Sequence, residues 1–235
     1  MLDKNTYRVL KQKTLINECY EEMVEIPTLF ARFFPHPYEK LGASYGEKSP
    51  FYLRREVISK LRVAQEKLNS LKSGYRLKVF DAYRPLSVQK FMIEYDSNRL
   101  SLEMFKTKFK ELSNENRFKV EKIVSHFWSP ISEDVSQNPP PHSTGGALDI
   151  TIVDEKGVEL DMGTEIDELI DASESDYYIR KDIYFQKNRE LLVVVMSYAG
   201  FTQLPTEWWH FSYGDQIWAL DNNRDAKYGI YIKSV

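Results

Sequence analysis

Two of the four histidines lie in segments whose residue types suit metal chemistry. His142 begins the run HSTGGALD, which ends at Asp149, and its glycine pair allows a sharp turn before a predicted strand. A carboxylate that is buried without a partner is unfavourable, so we expect Asp149 to meet a cation or a metal ion. The spacing therefore predicts that His142 and Asp149 converge on one point.

A second pair of candidates lies further along the chain, in the run EWWH, which starts at Glu207 and ends at His210. Strict strand alternation places these two side chains on opposite faces, because their offset of three is odd. A bulge or a strand end is therefore needed to bring Glu207 and His210 into one site, and such irregularities are common beside active sites.

Two imidazoles and one carboxylate are the ligand set of a catalytic zinc site whose fourth position stays open to water. If His142, Asp149 and His210 supply those ligands, Glu207 remains to take a proton from a metal-activated water. Arg84 follows a predicted strand, and its permanent charge would suit an oxyanion that develops on a carbonyl group.

Each of these residues also has a purely structural interpretation. A single histidine is more often a hydrogen-bonded core residue than a ligand, and we assign His36 and His126 to that class. Asp149 could cap a turn, Arg84 could form a surface ion pair, and the two tryptophans could be core. The functional interpretation rests on the joint presence of ligands, base and oxyanion stabiliser, which a metalloprotease requires together.

Hydrophobic periodicity predicts the elements that position these residues. Apolar residues recur at helical spacing in two segments and form strand-like patterns in three others. The segments are 53–71 and 182–199 for helices, and 75–80, 147–153 and 207–213 for strands. Pro85 is predicted to open a helix through Tyr95, residues 101–124 to form a charged helical stretch, and residues 125–141 to form a proline-rich loop. Because no βαβ rhythm is present, an α+β fold is favoured over a doubly wound parallel sheet.

The first fifty residues have no regular pattern, and their aromatic residues cluster around prolines. The aromatic residues concerned are Phe30, Phe33, Phe34 and Tyr38. We expect an extended arm that buried aromatic side chains hold on the body of the protein. The sequence therefore predicts one domain overall, with an arm over 1–50 and a catalytic domain over 51–235.

Composition excludes several classes of partner. The 235 residues are 42% apolar and 29% charged, which is typical of a folded globular chain. With 32 basic and 35 acidic residues the net charge is -3, so no strong positive field attracts nucleic acid. Cys19 is the single cysteine, which excludes an intramolecular disulfide and a cysteine-rich zinc site.

Membrane association is not expected either. The most apolar long stretch, residues 191–199, is about half as long as the ~20 residues that a membrane span requires. No apolar stretch follows a basic start, so no secretory signal is predicted. We therefore expect no membrane partner and a cytoplasmic location. A secretory signal that had been removed by trimming would reverse the expected location.

Three motifs in this order resemble those of the D-alanyl-D-alanine dipeptidases, zinc enzymes related to the vancomycin-resistance dipeptidase and part of the wider zinc D,D-peptidase family. The motifs are DAYRP over 81–85, HxxGxAxD over 142–149 and EWWH over 207–210. The resemblance extends over roughly 27–219 and includes DMGT at 161–164 and NREL at 188–191. It implies a single α+β domain of the zinc D,D-peptidase and hedgehog type, with a central, mainly antiparallel sheet flanked by helices.

The same resemblance implies hydrolysis of D-Ala-D-Ala, or of a closely similar small D-amino dipeptide, with one Zn²⁺ per chain. The implied zinc ligands are His142, Asp149 and His210. Glu207 matches the catalytic base of the family, and Arg84 matches the arginine that stabilises the transition state. Asp167 matches a carboxylate near the free amine of the substrate. The family often has serine where this chain has Pro140, so that hydroxyl contact with substrate is lost.

Two alternatives to a dipeptidase stay open. A D,D-carboxypeptidase that trims cell-wall peptides shares the histidine and aspartate pattern, but it needs an open groove and must be exported. A non-catalytic, zinc-containing binding module could use the same scaffold, although such a module has no use for Glu207 or Arg84. The missing signal disfavours the first alternative, and the presence of both residues disfavours the second.

Overall fold

A five-stranded sheet lies at the centre of the protein. A computed structural model describes residues 10–231 of the chain. The strands are β1 (Met23–Glu25), β2 (Ala31–Arg32), β3 (Tyr52–Arg54), β4 (Arg76–Asp81), β5 (Ala147–Val153), β6 (Thr202–Gln203) and β7 (His210–Ser212). The sheet has the order β2-β4-β5-β7-β6, while β1 and β3 form a separate antiparallel pair. Because β2 alone in this sheet runs parallel to its neighbour, the sheet is mainly antiparallel, as predicted.

Helices flank this sheet, which confirms the predicted α+β class. They are α1 (Pro37–Lys40), α2 (Arg55–Leu71), α3 (Leu86–Phe105), α4 (Asn114–Phe127), α5 (Ile183–Tyr198) and α6 (Gln216–Asp221). Short 3₁₀ turns lie at Phe109–Glu111, Pro141–Thr144 and Asp171–Ser173, and a helical turn lies at residues 10–13. Within residues 10–231, no helix combines the length and the apolar composition that crossing a bilayer requires.

The sheet is covered on both faces, because consecutive residues of β4 point into different apolar clusters. Val79 packs with α2 and α5, whereas Phe80 packs with α3 and α4. The α2 members of the first cluster are Val57, Ile58, Leu61, Ala64 and Leu68. These residues lie three or four positions apart along most of the helix, so they form one buried stripe. The helical layers thus hold the strands whose ends carry the candidate site.

Most of the predicted elements are present. The helix predicted over 53–71 is α2, and the one predicted over 182–199 is α5. The strand predicted over 147–153 is β5 with the same bounds, and the one predicted over 75–80 is β4. Pro85 caps α3, which is the helix that its position predicts.

The prediction of a helical stretch through 101–124 is wrong, because the chain breaks within it. Helix α3 ends at Phe105, where Lys106 adopts a left-handed conformation with φ of 53°. Helix α4 then begins after Ser113, whose side chain accepts a hydrogen bond from the backbone N–H of Asn116. Since α4 continues to Phe127, the loop predicted from residue 125 starts later than expected.

The aromatic residues of the first fifty positions behave differently from one another. Phe30 and Tyr38 are buried, as an arm held by aromatic side chains requires, but Phe34 is 92% exposed, so its predicted packing is wrong. The same segment supplies β1 and β2. Residues 1–9 lie outside the described chain, and the division into an arm over 1–50 and a catalytic domain over 51–235 stays a prediction.

Candidate metal centre

A tight turn before β5 positions His142. The 3₁₀ turn Pro141–Thr144 ends at Gly145, whose φ of 74° favours glycine. A Cβ atom at Gly145 would also overlap the sulfur of Met23, so the Met23 side chain would have to move to admit any other residue there. The carbonyl of Ala82 lies 2.8 Å from Nδ1 of His142 and accepts its hydrogen. Nε2 of His142 therefore carries the lone pair.

Asp149 and His210 face each other across the pairing of β5 with β7. Nδ1 of His210 lies 3.1 Å from Oδ1 of Asp149, while its Nε2 lies 3.3 Å from the hydroxyl of Ser212. That hydroxyl donates to Asp215 at 2.8 Å, so its oxygen accepts from Nε2 of His210. Nδ1 of His210 is therefore the nitrogen with the lone pair.

The lone pairs of the two histidines meet at the carboxylate of Asp149. Nε2 of His142 lies 3.1 Å from Nδ1 of His210 and 3.4 Å from Oδ2 of Asp149. The three ligand atoms all lie within 4.8 Å of one another, and all three residues are buried. Lone pairs and a carboxylate at such distances repel one another unless a cation lies between them. This donor set fits a divalent metal ion of the zinc type.

Burial of Asp149 raises its pKa, but in the metal-free protein the protonated, positively charged forms of the neighbouring imidazoles outweigh burial and hold the pKa of this carboxyl well below its usual range. His142 is the larger of the two opposing influences, and His210 adds to it. Asp149 is therefore ionised at neutral pH, as a metal ligand must be.

Arg84 follows β4 directly and lies beside the three ligands. Its Nε donates to Asp81 at 2.8 Å, and its Nη1 donates to Gln89 at 3.1 Å. Its Nη2 donates both to the hydroxyl of Tyr38 at 3.1 Å and to Asp149 at 3.2 Å. Burial opposes the charge of the guanidinium, but the surrounding anionic and phenolic groups raise the pKa of Arg84 well above its usual value.

Asp81 lies behind Arg84 and is fully buried. The hydroxyl of Tyr45 donates to Oδ1 of Asp81 at 2.7 Å, and Nε2 of His36 lies 3.4 Å from the same oxygen. Burial raises the pKa of Asp81, but the charge of Arg84 and the nearby imidazole of His36 together hold this pKa below its usual range. His36 is thus a buried histidine that contacts a carboxylate outside the metal-ligand cluster, in line with its predicted structural class.

Glu207 reaches the cluster because it precedes β7 rather than lying in it. A turn connects the backbone N–H of Glu207 to Leu204, and that of His210 to Glu207. The predicted strand over 207–213 is therefore wrong in its first half, and the strand begins at His210. This strand end places Oε2 of Glu207 3.8 Å from Nδ1 of His210, although their offset is odd.

Asp167 lies on the segment 161–174, where it has a φ of 63°, which is unusual for a residue with a side chain. It accepts a short hydrogen bond from the hydroxyl of Tyr38, which also contacts Arg84. Burial, with the negative charge of Asp149 nearby, raises the pKa of Asp167 to about 8. The fold thus places this carboxyl beside Arg84.

The segment 161–174 is held from the side of α5 by Arg189, which is buried. The guanidinium of Arg189 donates to the carbonyls of Met162 at 2.7 Å, Glu174 at 2.8 Å and Ala172 at 2.9 Å. Burial lowers the pKa of Arg189 to about 10, so it remains charged at neutral pH. One side chain thereby fixes both ends of the segment that carries Asp167.

All six residues predicted for the site line one cleft. These residues are Arg84, His142, Asp149, Asp167, Glu207 and His210. Two further residues of the site have no signal in the sequence: Gln89 lines the same cleft, and Tyr38 contacts Arg84 and Asp167. His126, which we assigned to the core, also lines the cleft. Asp81 lies three residues before Arg84 at a strand end, a spacing that could have drawn attention to it.

Comparisons with known proteins identify the family of this chain. The family model described as D-ala-D-ala dipeptidase, of peptidase family M15, matches residues 32–228. A D-alanyl-D-alanine dipeptidase of Synechocystis sp. is 40% identical over 220 residues, which cover 89% of this chain and 88% of that protein. One of Escherichia coli is 43% identical over 70 residues, or 30% of this chain and 36% of that protein.

Among solved structures, that of the LdcB LD-carboxypeptidase covers 89% of this chain and 78% of its own, at 18% identity and a TM-score of 0.45. The family assignment rests instead on the sequence matches, which span most of the chain and include every residue of the candidate site. The chain therefore belongs to the D-Ala-D-Ala dipeptidase family, and it is an enzyme of the zinc metallopeptidase class.

Proposed function

We propose that the protein hydrolyses the peptide bond of D-Ala-D-Ala, or of a closely similar small D-amino dipeptide, with one Zn²⁺ held by His142, Asp149 and His210. The observation that carries this proposal is the convergence of three buried ligand atoms within 4.8 Å of one another. The D-alanyl-D-alanine substrate is the one named for the relative that is 40% identical.

The donor set determines what the metal would contribute. Two neutral imidazoles and one carboxylate are the donor set of catalytic zinc sites, and an ion held by them would remain accessible to solvent or substrate. Zn²⁺ bound there supplies a Lewis acid that lowers the pKa of water toward ~7 and polarises a carbonyl group. Ala82 and Ser212 support the two imidazoles through their second nitrogens, which fixes the ring orientations.

Glu207 is the general base of this proposal. Its carboxylate lies 3.8 Å from the metal-facing nitrogen of His210, at the edge of the ligand cluster. From there it takes a proton from the attacking water as the oxygen bonds to the carbonyl carbon. It then gives that proton to the departing nitrogen as the C–N bond breaks, so that two amino acids leave and Glu207 is ionised again.

Arg84 stabilises the negative charge that develops on the carbonyl oxygen. Its guanidinium is held by Asp81, Gln89 and Tyr38, so it does not need to reorganise when charge appears. Its contact with Asp149 at 3.2 Å keeps this fixed charge beside the ligand cluster.

Asp167 binds the α-ammonium group of the dipeptide. The pKa of Asp167 is about 8 without substrate, and the positive charge of an arriving amine would favour its ionised form, which the bond from Tyr38 orients. A dipeptidase must recognise such a free amine, whereas a carboxypeptidase acts on longer peptides that have none at this place. The position of Asp167 beside Arg84 therefore favours the dipeptidase over the carboxypeptidase.

Metal analysis combined with a hydrolysis assay tests the proposal. We expect purified protein to contain about one zinc ion per chain and to release D-alanine from D-Ala-D-Ala, while an amine-blocked tripeptide is cut far more slowly. Glu207→Gln should keep its zinc but lose turnover, because the base is removed and the ligands are not.

Three results would count against the proposal. Loss of zinc from Glu207→Gln would make Glu207 a ligand rather than the base. Faster hydrolysis of the blocked tripeptide than of the dipeptide would identify a carboxypeptidase. Zinc-loaded wild-type protein that hydrolyses no D-amino dipeptide would favour a non-catalytic binding module.

A further inference from the structure

Asp81 divides its two carboxylate oxygens between different partners. Its Oδ2 accepts a hydrogen bond from Nε of Arg84 at 2.8 Å, whereas its Oδ1 accepts one from the hydroxyl of Tyr45 at 2.7 Å. Because the side chain of Asp81 is fully buried, these bonds replace the water that a carboxylate otherwise binds. A carboxylate that is fixed at one oxygen presents the other in a defined direction. The bond at Oδ1 therefore helps to determine where Oδ2 holds Arg84.

Tyr45 is itself held in place by packing. It belongs to the apolar cluster that contains Phe80 and Val88, and only 6% of the residue is exposed. Its ring meets the ring of His36 edge to face, with 5.3 Å between the centroids. Burial and the negative charge of Asp81 raise the pKa of Tyr45, so the hydroxyl keeps its proton and acts as a donor. The donor is thus in place before substrate arrives.

His36 also faces Oδ1 of Asp81, but its contact is weaker. Nδ1 of His36 accepts from the backbone N–H of Tyr38 at 3.3 Å, so the neutral ring carries its hydrogen on Nε2. Nε2 lies 3.4 Å from Oδ1 without the alignment of a hydrogen bond. Among these two neighbours of Oδ1, Tyr45 therefore supplies the short, directional bond.

Tyr45 can reach the cleft only through other residues. The described residues that line the cleft include Arg84 but neither Tyr45 nor Asp81. Asp81 pairs with Asp149 in the register of β4 with β5, and Arg84 contacts both carboxylates, with Nε on Asp81 and Nη2 on Asp149. A change at the Tyr45 hydroxyl is thus transmitted to the cleft by Asp81 and then by Arg84.

The geometry points to Tyr45 as a positioning residue for the hydrolysis: its hydroxyl fixes Asp81, and Asp81 aims the guanidinium of Arg84 at the developing oxyanion. This inference deepens the proposed function and rests on it. Because Arg84 acts on charge that appears only during the reaction, a poorly aimed guanidinium slows the chemical step more than it weakens substrate binding. Tyr45 therefore influences kcat rather than KM.

Tyr45→Phe tests this inference, since it removes the hydroxyl and keeps the ring. In steady-state kinetics on zinc-loaded protein, kcat for D-Ala-D-Ala should fall by about 10-fold while KM stays within about 2-fold of wild type. The loss is smaller than that expected for removal of the guanidinium, because Arg84 is still present and only less firmly held. The zinc content should not change.

Tyr213→Phe is the matched control. Tyr213 is also buried, and its hydroxyl donates to the carboxylate of Glu56 at 2.6 Å, so this variant removes a bond of the same type. Neither Tyr213 nor Glu56 is among the described residues that line the cleft. Tyr213→Phe should lower Tm without changing kcat or KM. An equal loss of kcat in both variants would show that the effect of Tyr45→Phe is a general consequence of destabilisation.

A double-mutant cycle with Arg84→Lys tests the route. The lysine is not aimed by Asp81, so adding Tyr45→Phe to Arg84→Lys should lower kcat by less than about 2-fold further. A full additional loss of about 10-fold would mean that Tyr45 does not act through Arg84. Thermal unfolding checks that all four proteins are folded at the assay temperature.

Asp81→Asn keeps the inference testable if Tyr45→Phe does not fold. An asparagine at this position has one acceptor oxygen and cannot accept from both Tyr45 and Arg84 through separate oxygens. It should therefore also lower kcat by at least about 10-fold with little change in KM. A normal kcat in Asp81→Asn would overturn the inference.

The outcomes separate this inference from the proposed function. Wild-type protein that does not hydrolyse D-Ala-D-Ala contradicts the proposed function itself. Active wild-type protein together with a normal kcat in Tyr45→Phe contradicts only the role of Tyr45. Loss of zinc from Tyr45→Phe also overturns that role, because Tyr45 would then act through His142, whose Nδ1 lies 3.7 Å from Asp81. A raised KM with unchanged kcat would overturn it as well.

Discussion

Each nitrogen of the Arg84 guanidinium has a different partner, and this division of contacts gives the residue its fixed orientation. Nε meets Asp81, Nη1 meets Gln89, and Nη2 meets Tyr38 and Asp149. A lysine at this position has one nitrogen on a flexible chain and cannot reach these partners together. Charge alone therefore does not reproduce what Arg84 supplies.

We expect Arg84→Lys to lower kcat on D-Ala-D-Ala by about 10²–10³-fold, because the donor is no longer aimed at the developing oxyanion. Steady-state kinetics on zinc-loaded protein measure this loss. Zinc content should stay at the wild-type level, since Arg84 is not a ligand. A kcat within a few-fold of wild type would remove Arg84 from the proposed mechanism.

Asp167 should make the stability of the metal-free protein depend on pH. Its pKa of about 8 in the folded state lies above the ordinary value of 3.8, so the folded state binds the proton more tightly than the unfolded state. Stability is therefore highest below about pH 4 for this group and falls as the pH rises toward 8. Asp167→Asn should flatten that decline.

Urea unfolding of wild-type protein and Asp167→Asn, at several pH values in the presence of a chelator, measures this difference. The two proteins should diverge progressively between about pH 4 and 8, with the wild type losing more free energy of unfolding. Parallel curves across that range would show that Asp167 titrates near its ordinary pKa.

The sequence revealed those site residues whose type and local spacing are unusual. His142, Asp149, Glu207 and His210 belong to short motifs, so their chemistry could be recognised before their geometry was known. Tyr38 could not be found in this way, because it meets Asp167 across 129 positions of sequence. In the sequence, Tyr38 is one of several aromatic residues close to prolines, and nothing marks its hydroxyl as part of a site.

At the level of elements, the two errors in strand and helix bounds have local backbone causes. Helix α3 ends where Lys106 adopts a left-handed conformation, and neither glycine nor proline marks this position. The apolar stretch over 207–213 looked like one strand because Trp208 and Trp209 are buried, but Glu207 to Trp209 form a turn. Burial in a turn and burial in a strand give the same hydrophobic pattern.

Arg189 connects helix α5 to the segment that carries Asp167. Arg189→Met leaves the carbonyls of Met162, Ala172 and Glu174 without their donor and should destabilise the protein by about 2–4 kcal/mol. Because Asp167 then loses its fixed position, KM for D-Ala-D-Ala should rise more than kcat falls.

Urea unfolding and steady-state kinetics measure the two effects of Arg189→Met. Arg180→Met provides the matched control, since Arg180 is exposed. Normal KM in a clearly destabilised Arg189→Met protein would show that Asp167 does not depend on this anchor.

At the scale of the whole molecule, the candidate ligands meet only because the sheet brings distant parts of the chain together. His142 lies in a turn before β5, Asp149 in β5 and His210 at the start of β7. His210 and His142 are 68 positions apart in the sequence. In an unfolded chain these groups are dispersed, so metal binding and folding are coupled.

This coupling predicts that zinc stabilises the whole protein. At a free zinc concentration about 1,000 times the dissociation constant, binding to the folded state adds about 4 kcal/mol to the free energy of unfolding. For a chain of this size that corresponds to a rise in Tm of roughly 8–16 °C over protein kept in chelator. His210→Ala should lose most of this rise, whereas Lys13→Met should keep it. Because each ligand comes from a separate part of the fold, an unchanged Tm on adding zinc would mean that these three side chains do not form a metal site.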